Sequence, residues 1–167
     1  THSFPTRRSS DLDGLGPDAL SVSRCAFDAR LRSRRRVLKA ALLDQHLVAG
    51  LGNIYADEMC FEAGIAPLRN TAGLSAVERA ALHRAMRLVL RRAVRSGGAS
   101  LGEGRSNFRD LEGRSGGFGA RAAVYGRAGE PCLRCGTVLQ KTVVGQRTTV
   151  WCPSCQPGTP ADGAIRP

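Results

Sequence analysis

A mainly α domain followed by a metal-clipped β-hairpin is the fold class this chain predicts. Three features carry the expectation. Apolar residues recur at helical spacing between Ser21 and Gly97. Four cysteines, Cys132, Cys135, Cys152 and Cys155, form two Cys-x-x-Cys pairs near the C-terminus. Between those pairs lie two β-branched runs separated by Gly145-Gln146.

Residues 1–12, THSFPTRRSSDL, have neither helical nor strand periodicity and no apolar signal-peptide core. The run from Ser3 to Leu12 looks like the translation of a common sequencing-adapter oligonucleotide. Residues 1–12 are therefore set aside as an artefact or a disordered basic arm. Asp13 to Pro17 is a turn-rich entry, after which Ser21 can cap a helix running to about Arg32. Ser33 leads a second helical stretch, with Val37, Leu38, Ala41 and Leu42 in register. A third helix is expected from Asn53, after Gly50-Leu51-Gly52, with Ile54 and Phe61 on one face. Asp57 and Glu58 fall in its first turns, where acidic side chains complement the helix dipole. Ser75-x-x-Glu78 is a capping box that opens a fourth helix. Its core face is Leu82, Met86, Val89 and Ala93, and Gly97-Gly98 ends it. Arg84, Arg87, Arg91 and Arg95 share one side, more often a solvated face than a binding surface. Residues 97–119 are rich in Gly, Arg and Ser and read as a mobile loop.

Sixteen residues separate the two cysteine pairs, inside the spacing of a four-thiolate zinc site. Four thiolates close a tetrahedral shell and leave no position for water, so one structural Zn2+ is expected. Two disulfides are the alternative. Between the knuckles, Val138–Val144 and Arg147–Trp151 read as strands, and a loop with glycine first suits a type II′ turn. A lone hairpin is marginal, whereas structural zinc contributes on the order of 10 kcal/mol to folding. Arg147 at the tip is either a planar cation for phosphate or an ordinary exposed turn residue.

The chain has 167 residues with a net charge of +11, and Lys39 and Lys141 are its only lysines. An excess of arginine on this scale favours a polyanion, with nucleic acid the first candidate. No segment has the apolar length to span a membrane and no lipid-anchor motif is present, so a membrane partner is not expected. Cys25 and Cys60 fit a reducing cytoplasm better than a disulfide framework.

The segment from Leu42 to Glu58 is a helix, a glycine-containing turn and a new helix with free N-terminal amides. Such an N-terminus attracts phosphate. Asn53 can cap that helix or contact the phosphate. Gly-Leu-Gly-Asn-Ile-Tyr-Ala-Asp-Glu at 50–58, Val124-Tyr125-Gly126-Arg127 and the four-cysteine hairpin together resemble the formamidopyrimidine-DNA glycosylase family. That family includes the endonuclease VIII branch. The resemblance covers the chain from about Leu15 to Gln156.

The resemblance implies a helix–two-turn–helix domain at 13–125 and a β-hairpin zinc finger at 126–157, with a disordered tail at 158–167. It further implies the C-terminal part of a bifunctional base-excision repair enzyme, acting as a monomer on double-stranded DNA with a damaged base or abasic site. In the family the residues matching Asn53 and Arg147 hold the phosphates flanking the damaged nucleotide, and Lys39, which matches a basic position of the same domain, is expected among the phosphate-binding residues with them. Family members attack the sugar with an N-terminal proline, followed by a glutamate, from a β-sandwich domain. Neither Pro5 nor Pro17 lies in a Met-Pro-Glu start, so this chain alone is expected to bind DNA and cut nothing. The run Glu112-Gly113-Arg114-Ser115-Gly116-Gly117-Phe118 resembles the loop that closes over a flipped oxidised purine, but lacks its proline and one aromatic. That loop favours 8-oxoguanine and formamidopyrimidines over the oxidised pyrimidines of the endonuclease VIII branch. A non-catalytic zinc-dependent DNA-binding module is the reading from a different class. The setting implied is the bacterial cytoplasm, at the nucleoid.

Overall fold

The computed structural model describes residues 14–98 and 117–158. Within them lie four α-helices and a two-stranded antiparallel sheet. Residues 1–12, most of the predicted loop and the tail from 159 fall outside the described residues.

Helix α1 (Arg24–Arg32) is capped by Ser23, whose Oγ accepts the Ala26 N–H at 3.2 Å. The expected cap, Ser21, belongs instead to a preceding turn. There Asp18 Oδ1 accepts from Leu20 N–H at 2.8 Å, and Asp18 O accepts from Val22 N–H. The aspartate competes for the backbone and delays the helix by two residues.

Helix α2 (Leu38–Leu42) is also shorter than its periodicity predicts. The Arg36 carbonyl accepts from Thr71 N–H at 2.9 Å. The N–H groups of Leu38 and Lys39 donate to the carbonyls of Arg69 and Pro67. This tertiary pairing delays the helix to Leu38 and fixes how α2 enters the core.

Helix α3 (Asn53–Ala63) begins where predicted. The turn before it needs Gly50 at φ 94°. Gln45 staples that turn, accepting from Gly50 N–H at 3.0 Å and donating to Leu51 O at 2.9 Å. Gly64, at φ 70°, ends α3 in a Schellman arrangement with Ile65 N–H bonded to Cys60 O.

Helix α4 (Ala76–Arg95) carries the predicted capping box between Ser75 and Glu78. Leu82, Met86, Val89 and Ala93 are buried against α1 and α3 in the main core. Arg84, Arg91 and Arg95 are exposed and Arg87 half-buried, as a solvated face requires. Gly117 N–H donates to Ser96 O and Phe118 N–H to Gly98 O, so the two ends of the undescribed stretch are pinned together.

Strands β1 (Gln140–Val144) and β2 (Arg147–Trp151) pair with Val144 opposite Arg147. The first strand starts later than predicted, because Val138 pairs with Pro131 in an isolated bridge. Gly145 and Gln146 both take positive φ, 54° and 63°, which makes the turn type I′ rather than II′. Type I′ matches the strand twist at the cost of a left-handed glutamine. A second core cluster holds Val124, Cys132, Leu139, Val150 and Cys152 together with Phe61 of α3. Ile54, expected on the same face as Phe61, packs on the main core instead, so α3 serves both clusters. No helix among the described residues is long and apolar enough to cross a membrane.

Replacing Gln146 by glycine is expected to stabilise the hairpin by about 0.5 kcal/mol, the left-handed penalty less glycine's added entropy. Thermal unfolding of the zinc-loaded chain measures it. A lower melting temperature would reject the turn assignment.

Candidate metal centre and nucleic-acid interface

The four predicted zinc ligands converge. The Sγ atoms of Cys132, Cys135, Cys152 and Cys155 all lie within 4.8 Å of one another. The Cys135–Cys152 and Cys132–Cys155 separations are 3.4 and 3.9 Å. Tetrahedral Zn–S bonds of about 2.3 Å put sulfurs roughly 3.8 Å apart, so the donor set fits one zinc ion. All four are free cysteines, which rules out the disulfide alternative in this structure. Arg134 N–H points at Cys132 Sγ and Cys155 N–H at Cys152 Sγ, both at 3.4 Å. Such amide donors stabilise thiolate charge. Thr137, through its hydroxyl and its amide, holds the Cys135 thiol down to about 6.

Further contacts bind this finger to the helices. Gln156 is fully buried, accepting from Cys152 N–H at 2.9 Å and donating to Ile65 O at 3.0 Å. The Arg134 guanidinium lies 4.3 Å from the Phe61 ring centre.

At the other end of α3, Gly52 occupies the N-cap without a side chain to offer, and Asn53 is the first helical residue. The first intrahelical bond runs from Ala56 N–H to Gly52 O, which leaves the Asn53 and Ile54 amides outside the ladder. Asn53 does not cap the helix, contrary to one expectation. Its Oδ1 is shielded and has no hydrogen-bond partner. A Cβ at Gly52 would meet nothing within 4 Å, so the approach to this helix end is open. Arg147 is exposed at the hairpin tip.

Lys39 corrects the sequence reading. Its side chain is fully buried, its Nζ sits 2.7 Å from Asp57 Oδ1 and donates to Thr148 O at 2.6 Å. The ammonium is consumed inside the protein and has no exposed surface for a phosphate. Asp57 and Glu58 are corrected likewise. Neither is a surface charge complementing the α3 dipole; both are buried. Asp57 Oδ2 accepts from Val150 N–H at 3.2 Å. Glu58 accepts from Ala123, Val124 and Tyr125 N–H at 2.8, 2.8 and 2.9 Å. Burial pushes the Asp57 carboxyl up to about 6 against the pull of Lys39. Burial likewise lowers the Lys39 ammonium, with Asp57 opposing.

Of the loop residues singled out, Glu112, Gly113, Arg114, Ser115 and Gly116 lie outside the described residues. Gly117 is exposed. Phe118 is buried in the main core with its ring 5.6 Å from that of Tyr55, so it anchors the segment rather than standing free to cover a base. Sequence reasoning missed the joint formed by Asp57, Glu58 and Gln156. The available signal was two adjacent carboxylates flanked by Ala56, Met59, Cys60 and Phe61.

Residues 15–104 match the formamidopyrimidine-DNA glycosylase H2TH domain, and residues 129–158 match a zinc finger found in FPG and IleRS. The formamidopyrimidine-DNA glycosylase of Prochlorococcus marinus (strain MIT 9211) is 40% identical over 158 residues, covering 92% of this chain and 53% of the relative. That of Variovorax paradoxus (strain S110) is 46% identical over 147 residues, covering 87% and 53%. Among solved structures, MutM (Fpg) from Thermus thermophilus aligns with a TM-score of 0.82 at 44% identity, covering 91% of this chain and 57% of that one. Lactococcus lactis Fpg in complex with abasic-site DNA aligns at 0.79 and 35% identity, covering 89% and 54%. The chain spans about half the length of the curated relatives it matches.

Two outcomes test this geometry. Cys135→Ser is expected to lose the one bound zinc and the hydrogen-exchange protection of β1 and β2, since the metal supplies on the order of 10 kcal/mol. Retained protection without metal would sink the closed-shell assignment. The second outcome concerns Asp57, which titrates near 6 when folded and at 3.8 as a free side chain. The folded chain holds the extra proton between those values, so this group's stabilising contribution is complete below 3.8 and lost as the pH rises through 6. Unfolding free energy of wild type minus Asp57→Asn should therefore fall across that window and then level off. A flat difference would return the carboxyl to its ordinary value.

Proposed function

This chain belongs to the formamidopyrimidine-DNA glycosylase family, and we propose that it is the DNA-gripping part of a bifunctional base-excision repair glycosylase and abasic-site lyase. Its substrate is double-stranded DNA carrying 8-oxoguanine, a formamidopyrimidine or an abasic site, bound by a monomer in the cytoplasm at the nucleoid. The observation that carries this reading is Asn53. Its Oδ1 has no hydrogen-bond partner at the N-terminus of α3, on the helix to which the Arg147 hairpin is also tied, and its Nδ2–H groups are the donors that would meet a phosphate oxygen. Phosphate on such an N-terminus is stabilised by free amides and the dipole, and Arg147 adds a planar, permanently charged donor.

Rotating a damaged base out of the duplex costs a few kcal/mol of stacking and pairing. Holding flanking phosphates from two rigid points kinks the backbone and offsets that cost without reading sequence. In this reading residues 13–125 and 126–157 are the two gripping modules. Lys39 is not a phosphate contact. Residues 14–158 grip without cutting; bond cleavage belongs to the half of the family fold that they do not represent.

Arg147→Ala is expected to weaken binding to an abasic-analogue duplex across sequence contexts. The slope of log K against log salt should become shallower by about 0.9, one lost phosphate contact. Fluorescence anisotropy over a salt series measures both. An unchanged slope would strike Arg147 from the interface, and equal affinity for undamaged duplex would strike the lesion preference.

A further inference from the structure

We propose that Lys39 and Asp57 are positioning residues whose buried ion pair aims strand β2, and so Arg147, relative to Asn53. The proposal rests on the reading of Asn53 and Arg147 as phosphate contacts.

Three elements meet at this pair. Lys39 comes from α2 and Asp57 from α3, and both side chains have no exposed surface. Asp57 follows Asn53 by four residues, so it lies one turn further along the same helix face. The third element is β2. Lys39 Nζ donates to Thr148 O, and Asp57 Oδ2 accepts from Val150 N–H. These two bonds straddle Thr149, itself fully buried. The strand is thus held at alternate residues, and Arg147 is the next residue outward, opposite Val144 at the turn.

Stability alone does not call for charges here. Two ions taken from water incur a desolvation cost that their attraction barely recovers, and an apolar pair of similar volume is often as stable. An ion pair adds direction. The ammonium selects one carbonyl and the carboxylate one N–H on β2 itself, whereas Gln156 and Arg134 tie down the knuckle regions and the hairpin's other packing on α3 is apolar, around Phe61. Apolar packing resists separation but sets no register. With the pair in place, β2 cannot slide or rotate on α3 without breaking two buried bonds. Arg147 is thereby held at a set offset from the α3 N-terminus.

The test combines the apolar replacement Lys39→Met/Asp57→Leu with the near-isosteric Asp57→Asn, each alone and with Arg147→Ala or Asn53→Ala. Binding to an abasic-analogue duplex is read over a salt series, with zinc content and Trp151 emission as checks on the finger. Each replacement is expected to keep zinc and native emission while losing about tenfold or more in affinity, as Arg147→Ala does. The salt slope should become shallower by about 0.9. Adding Arg147→Ala should then change affinity by no more than about twofold, the scatter of sites that no longer interact. Adding Asn53→Ala should still exact its full loss. A replacement that leaves affinity and slope at wild-type values overturns the proposal, as does one to which Arg147→Ala still adds its full loss. Loss of zinc or native emission in both replacements also overturns it, since the pair would then serve folding rather than aim. If Arg147→Ala has no effect in the wild type, the phosphate reading beneath fails as well, and that result is distinguishable from the others.

Discussion

Two adjacent carboxylates, Asp57 and Glu58, are buried side by side on one helix, and the mounting of the linker and the hairpin on that helix follows from how they are satisfied. A buried carboxylate without partners would protonate or unfold its surroundings. Glu58 takes three consecutive backbone N–H groups of the 123–125 segment, and Asp57 takes the Lys39 ammonium and an N–H of β2. Neither demand can be met within α3. The helix is therefore obliged to hold the linker and the hairpin at fixed points, and a sequence-distant module becomes part of one body.

Zinc and the carboxylate joint solve different problems. The hairpin and its knuckles bury only a small apolar cluster, too little to order the segment, and the four thiolates supply the missing constraint. Metal ligation nevertheless says nothing about where the finger sits. That is set by contacts reaching out of it: Gln156 to Ile65 O, Arg134 over Phe61, and the pair at β2. The finger is internally shaped by metal and externally placed by α3.

The helix that receives the finger also presents an open N-terminus at its other end. Gln45 and Gly50 shape the turn before α3 so that its first amides and Asn53 stay unspent, while Asp57 and Glu58 hold the finger a turn later. One short helix therefore carries both an open N-terminal end and the mount for the hairpin that bears Arg147. A helix is stiff over this distance, because each residue is tied into the hydrogen-bond ladder. The hairpin tip is therefore held relative to the α3 N-terminus by the helix itself and by the contacts that mount the finger on it.

Local rules in the sequence were enough for the four helices, the Ser75–Glu78 capping box, the glycine turn before Asn53 and the metal set. Each depends on residues close in the chain or on a fixed cysteine spacing, so its physics is contained in the local pattern. The same logic misplaced the start of α1, where Asp18 outcompetes Ser21, and the start of α2, where carbonyls some thirty residues away capture its first amides. It also chose the wrong turn type for Gly145-Gln146, since the sign of φ at glutamine is settled by strand twist rather than by preference. The roles of Lys39, Asp57 and Glu58 were decided only by tertiary structure. Their partners lie 65 to 109 residues away or on another element, and a charge reads as exposed until the chain folds over it.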